Sequence, residues 1–111
     1  MNRETIGRRV LIVEDEGLLA MRLEEMLVDL GHEVVAVAGR MEQAEELVAE
    51  AGIDLAILDV NLNGQLTYPL ASALESRGIP FIFATGYGSA FLPASFRKIP
   101  VLEKPYQQSA L

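Results

Sequence analysis

The sequence predicts a doubly wound α/β fold, a five-stranded parallel sheet in the order 2-1-3-4-5 with helices on both faces. Three observations predict it. Strand-sized apolar runs alternate with helical patterns along the chain, joined by short connections. The runs are apolar throughout, as expected of strands covered on both faces. Most of them stop abruptly at groups that do chemistry: Glu14-Asp15-Glu16, Asp59, Thr85 and Lys104. In an open parallel sheet, ligands gather just beyond the carboxyl ends of the strands.

After a polar stretch over residues 1–8, Val10-Leu11-Ile12-Val13 is the first strand. The next segment places Leu19, Leu23, Met26, Leu27 and Leu30 on one helical stripe. Asp15 or Glu16 lies where an acid suits that helix's N-terminus, and Gly31 stops it. Val34-Val35-Ala36-Val37-Ala38 is the second strand. A helix from about Met41 to Ala51 buries Ala44, Leu47, Val48 and Ala51, and its Glu42, Glu45, Glu46 and Glu50 face is solvated. Gly52 ends it, and the third strand runs over 54–59.

A turn over Asn61–Gly64 leads to a short helix with Pro69 in its first turn, Ala71 and Leu74 inward, and Gly78 as its stop. The fourth strand, Pro80-Phe81-Ile82-Phe83-Ala84, delivers Thr85. Residues 86–98 carry two glycines and a proline and hold no sustained stripe, so the expected fourth helix is weak or shortened to one or two turns. Val101-Leu102-Glu103 is the fifth strand and delivers Lys104-Pro105. Six residues follow Pro105, so a last helix is expected to be cut short.

Composition excludes several function classes. The length suits one domain, residues 1–111. A net charge of −7 argues against direct contact with nucleic acid or an anionic membrane. No cysteine means no disulfide and no thiolate metal site. No apolar run approaches the roughly 20 residues of a membrane span, and no signal-peptide apolar region precedes Val10. The expected setting is cytoplasmic. His32, the single histidine, follows Gly31 at a helix end and is expected at the surface.

In the expected strand order the ends bearing Glu14-Asp15-Glu16, Asp59, Thr85 and Lys104 are neighbours on one edge. Several carboxylates in one pocket repel unless a cation shares them. Oxygen ligands with room for water suit Mg²⁺. Asp15 and Asp59 are the natural direct ligands, Glu14 is better placed to act through water, and the backbone carbonyl of Asn61 offers a further oxygen. Metal, the Lys104 ammonium and the Thr85 hydroxyl together suit the oxygens of a transferring phosphoryl group, with the Asp59 carboxylate as nucleophile.

These residues resemble the receiver domain of two-component response regulators, a flavodoxin-like fold that includes the chemotaxis receiver. The resemblance covers about residues 9–106. It rests on Val10-Leu11-Ile12-Val13-Glu14-Asp15-Glu16, Leu55-Ala56-Ile57-Leu58-Asp59-Val60-Asn61-Leu62, Thr85 and Glu103-Lys104-Pro105-Tyr106. Phe83-Ala84-Thr85-Gly86-Tyr87 further resembles the subclass with a Phe-Ala-Thr-Gly-Tyr signature. The resemblance implies that Asp59 is the phosphoacceptor, Glu14 and Asp15 the acid pair, Thr85 the switch hydroxyl and Lys104 the phosphoryl-contacting lysine. It implies Mg²⁺ as cofactor, a sensor histidine kinase or phosphotransfer protein as donor, and a downstream protein partner. The domain would catalyse its own phosphorylation and dephosphorylation.

Val101 stands where many receivers carry an aromatic, so a rotating ring there cannot be the switch. A flavin-binding domain of the same fold needs a phosphate loop where this chain has three acids. An aspartyl phosphohydrolase is expected to carry a second acid at position 61, which is Asn. The remaining alternative is a pseudo-receiver that binds partners without phosphorylation.

Overall fold

The structure is a computed structural model that describes residues 7–50, 52–86 and 92–104. The elements in order are β1 (Arg9–Val13), α1 (Gly17–Asp29), β2 (Glu33–Ala38), α2 (Met41–Glu50), β3 (Leu55–Asp59), β4 (Asn61–Leu62), β5 (Gln65–Leu66), α3 (Tyr68–Ser76), β6 (Phe81–Thr85), a 3₁₀ turn (Ala94–Phe96) and β7 (Val101–Glu103). The main sheet is parallel in the order β2-β1-β3-β6-β7, which is the expected 2-1-3-4-5 with β6 and β7 as fourth and fifth strands.

Side chains alternate along each strand and so divide the core in two. Leu11, Val13, Leu58, Phe81 and Phe83 pack with Ala44 and Val48 of α2, Leu70 and Leu74 of α3, and Phe96. Val10, Ile12, Ile57, Ala84 and Leu102 pack on the other face with Leu23, Met26 and Leu27 of α1. Among the described residues, no helix is long and apolar enough to cross a membrane.

Glycines stop two helices in the same way. Gly31 and Gly78 take φ of 93° and 70°. The amides of His32 and Ile79 then reach back to the carbonyls of Leu27 and Leu74, and those of Gly31 and Gly78 to Val28 and Glu75. Pro69 lies in the first turn of α3, where its missing N–H costs nothing.

Several expectations need correction. The Asn61–Gly64 turn belongs to a small antiparallel hairpin, β4–β5, which periodicity does not register because each strand has two residues. Leu30 falls beyond the last turn of α1 and is exposed, while Ala20 joins the buried stripe. Glu16 occupies the N-cap position of α1 without capping it through its side chain. His32 is half-buried, with Nδ1 enclosed and unpartnered, because the turn after Gly31 folds it back over Leu27. By contrast, the expected weak or shortened fourth helix agrees with the described part of residues 86–98, which holds a single 3₁₀ turn. Ala51, Tyr87 and the last helix lie outside the described residues.

Candidate functional site

The site follows from strand register. Val13 of β1 pairs with Leu58 of β3, so Glu14 and Asp59 are the next residues on adjacent strands. Asp59 pairs with Ala84 of β6, and Thr85 pairs with Glu103 of β7, immediately before Lys104. The amide of Lys104 donates to the Thr85 carbonyl at 3.1 Å, which ties the fifth strand end to the fourth. Asp15, Asp59, Asn61, Thr85 and Lys104 all line one open cavity of about 1200 Å³ at this edge of the sheet. Glu14 lies behind them with its side chain 1% exposed.

Lys104 links the two most buried acids. Its Nζ is 3.0 Å from Glu14 Oε1 and 3.2 Å from Asp59 Oδ2. The other Asp59 oxygen, Oδ1, accepts the Asn61 amide at 3.3 Å, and Glu14 Oε2 accepts the Glu16 amide at 3.3 Å. Burial pushes the Asp59 carboxyl up to about 7, helped by the hydrogen bond and charge of Glu14, and Lys104 offsets only part of this. Burial pulls the Lys104 ammonium down, but its hydrogen bonds and charge interactions with Glu14 and Asp59 outweigh burial and hold it above the ordinary 10.5. The cluster is therefore short of positive charge.

A divalent cation fits that shortage. Glu14, Asp15 and Asp59 each offer a carboxylate oxygen, and the three atoms lie within 4.8 Å of one another. Two ligands at about 2.1 Å from one Mg²⁺ lie up to about 4.2 Å apart, so the cluster is close to the span that one ion and its waters require. The donor set is all oxygen, as a hard cation requires. When bound, the ion would supply the positive charge that the carboxylate cluster lacks.

Two residues that the sequence did not single out also hold the site. Thr67 is fully buried, and its hydroxyl donates to the Asp59 carbonyl at 2.7 Å while its amide donates to the Val60 carbonyl at 3.0 Å. It thus fixes the backbone of the candidate nucleophile from the start of α3. The Asn63 amide donates to Asp15 Oδ2 at 3.1 Å. The Asn63-Gly64 pair was the available signal, since Asn-Gly is a strong short-range mark of a hairpin. Thr67 had no signal, because its partner is a backbone carbonyl eight residues away.

The response regulator receiver domain family matches residues 10–111. The transcriptional regulatory protein PdtaR of Mycobacterium tuberculosis is 36% identical over 110 residues, covering 96% of this chain and 54% of PdtaR. The chain thus spans about half the length of that relative. The solution structure of SdrG from Sphingomonas melonis Fr1 is 44% identical, with a TM-score of 0.85 over 94% of this chain and 89% of SdrG. The BeF3-activated conformation of SdrG, from Pseudomonas melonis Fr1, matches with a TM-score of 0.77 at 44% identity, over 92% of this chain and 87% of that one. With the sheet order and the family match in agreement, the chain belongs to the response regulator receiver domain family, the receivers of two-component signalling.

Proposed function

We propose that this receiver takes a phosphoryl group onto Asp59 from the phosphohistidine of a sensor histidine kinase or phosphotransfer protein. The observation that carries this is the convergence of Glu14, Asp15 and Asp59 within 4.8 Å, with Lys104 bridging two of them. A carboxylate at the wall of an open cavity, beside one ammonium and a cation-ready acid cluster, is a competent nucleophile for phosphorus. Mg²⁺ would be held by Asp15, Asp59 and the Asn61 carbonyl, with Glu14 acting through water.

Lys104 would contact a phosphoryl oxygen, and the Thr85 hydroxyl would be drawn to another and report the event to the segment that follows. The chain is a single receiver domain, residues 1–111 with a core of about 9–106, in the cytoplasm, and its output is altered binding of a downstream protein. The likeness to a structure named as a BeF3-activated conformation supports switching by a group bound at the same position. Phe83-Ala84-Thr85-Gly86-Tyr87 supports a place in the subclass with the Phe-Ala-Thr-Gly-Tyr signature.

Intact mass after incubation with acetyl phosphate and Mg²⁺ tests the proposal. A gain of one phosphoryl group that requires Mg²⁺ and Asp59 is the expected result. No gain, with partner binding retained, would make this a pseudo-receiver that works without phosphorylation.

A further inference from the structure

Asp15 is placed differently from the other acids. It follows β1 and precedes α1, so neither a strand ladder nor a helix fixes it. Its carboxylate is half-exposed, and the salt bridges of Lys104 go to Glu14 and Asp59. Like charge on those two carboxylates disfavours drawing Asp15 in beside them. A ligand so placed needs something to hold it in.

The tip of the β4–β5 hairpin supplies it. Asn63 and Gly64 take φ of 52° and 86°, two consecutive left-handed residues of the kind a two-residue hairpin needs, and Asn tolerates that conformation better than most residues with a side chain. Asn61 Oδ1 accepts the Gly64 amide at 2.8 Å and braces the turn from within. In this conformation the Asn63 amide points at Asp15 Oδ2, 3.1 Å away and 48 residues earlier in the chain.

The turn is moored on both sides. Leu62 is 1% exposed and seats the hairpin in the core. The Asn63 side chain reaches the other way, its Nδ2 donating to the Gly39 carbonyl just after β2 at 3.2 Å. One residue therefore spans the ends of two strands and aims a backbone donor at a carboxylate between them.

We propose that Asn63 is a positioning residue for the cation site: its side chain moors the hairpin tip to Gly39 so that its amide holds the Asp15 carboxylate in reach of the ion. The inference rests on the proposal that Asp15 is a cation ligand. A donor to one carboxylate oxygen orients the group and leaves the other oxygen for metal, the usual work of groups behind a ligand.

Asn63→Gly keeps the amide and the left-handed backbone and removes only the mooring. Calorimetric titration with Mg²⁺ alone should show an affinity about tenfold weaker than the wild type, with little change in the metal-free melting temperature. A role confined to hairpin stability would give the reverse, a lower melting temperature and unchanged affinity, and would overturn the proposal. Asn63→Asp also keeps the turn but exchanges the side-chain donor for an acceptor facing the Gly39 carbonyl. Its added negative charge alone would strengthen cation binding, so weaker binding supports the mooring and equal or tighter binding overturns it. Asp15→Asn separates the two proposals. If it binds Mg²⁺ as the wild type does, the assignment of Asp15 as ligand fails; if it loses affinity while Asn63→Gly does not, only the role of Asn63 fails.

Discussion

Lys104 Nζ stands 3.2 Å from Asp59 Oδ2, yet the Asp59 carboxyl is still raised to about 7. The ammonium is shared, since Glu14 Oε1 is closer to it, at 3.0 Å. Lys104→Ala removes a cation that both buried acids contact. Breaking such a pair leaves uncompensated charge, and because the lysine side chain is 18% exposed the cost is set at about 1–3 kcal/mol near neutral pH. Urea unfolding with and without Mg²⁺ checks this, and Mg²⁺ should restore part of the loss. Phosphorylation-dependent partner binding should be lost as well; normal output from this variant would count against the role given to Lys104.

Stability should fall with rising pH across a defined window. The Asp59 carboxyl binds its proton up to about 7 in the folded protein, against 3.8 for an unperturbed group. Between those values the folded state holds more protons than the unfolded one, so raising the pH costs stability. The contribution is fully present below 3.8 and gone above about 7. In metal-free thermal melts, Asp59→Asn should flatten this slope and melt higher than the wild type at pH above 7. An unchanged slope would place the raised carboxyl elsewhere.

Thr67 offers a test that leaves the acids untouched. Thr67→Val keeps the shape but removes the donor to the buried Asp59 carbonyl, at a cost of about 1–3 kcal/mol. Because the strand end that carries Asp59 loses its fastening, phosphoryl uptake should slow beyond what the loss of folded protein explains. Thr67→Ser, which retains the hydroxyl, should recover most of both. Single-turnover uptake from acetyl phosphate, corrected for the folded fraction, decides it.

The response of the segment after β6 can be followed by hydrogen exchange. Gly86 is exposed, whereas Leu92 and Phe96 are buried and Phe96 stacks on Tyr68 with ring centroids 5.6 Å apart. With Mg²⁺ and beryllofluoride, the amides of Gly86, Leu92 and Ala94–Phe96 should gain more protection than those of α1. Thr85→Val should abolish that gain and leave phosphoryl uptake within a few-fold of the wild type. Equal protection in both states would send the signal through another face.

The sheet was legible in the sequence because its signals are local and redundant. Each run from Val10, Leu55 and Phe81 is apolar, strand-length and ended by a polar group, and the order is the one expected of a doubly wound sheet of this kind. The candidate site residues Glu14, Asp15, Asp59, Thr85 and Lys104 were legible for the same reason, since they end or follow those runs or the one from Val101. Thr67 and Asn63 were not, since what matters there is a hydroxyl on a backbone carbonyl and an amide on a distant carboxylate, and neither leaves a periodic trace. His32 was misplaced because its environment is set by how α1 ends, through the reversal at Gly31.

The pairing of Val13 with Leu58 has a consequence for how the protein lives with its own charge. Neighbouring strands run about 4.8 Å apart, and that spacing is held by the ladder. Glu14 and Asp59, one step beyond the pair, cannot separate without breaking hydrogen bonds at the centre of the sheet. Whatever repulsion the shared Lys104 ammonium leaves between them is therefore installed when the chain folds and stays as a standing load. A bound cation would lighten that load, and by mass action the folded population would then track the free cation concentration. The geometry that gathers these acids would then make the durability of the fold a gauge of divalent ion supply.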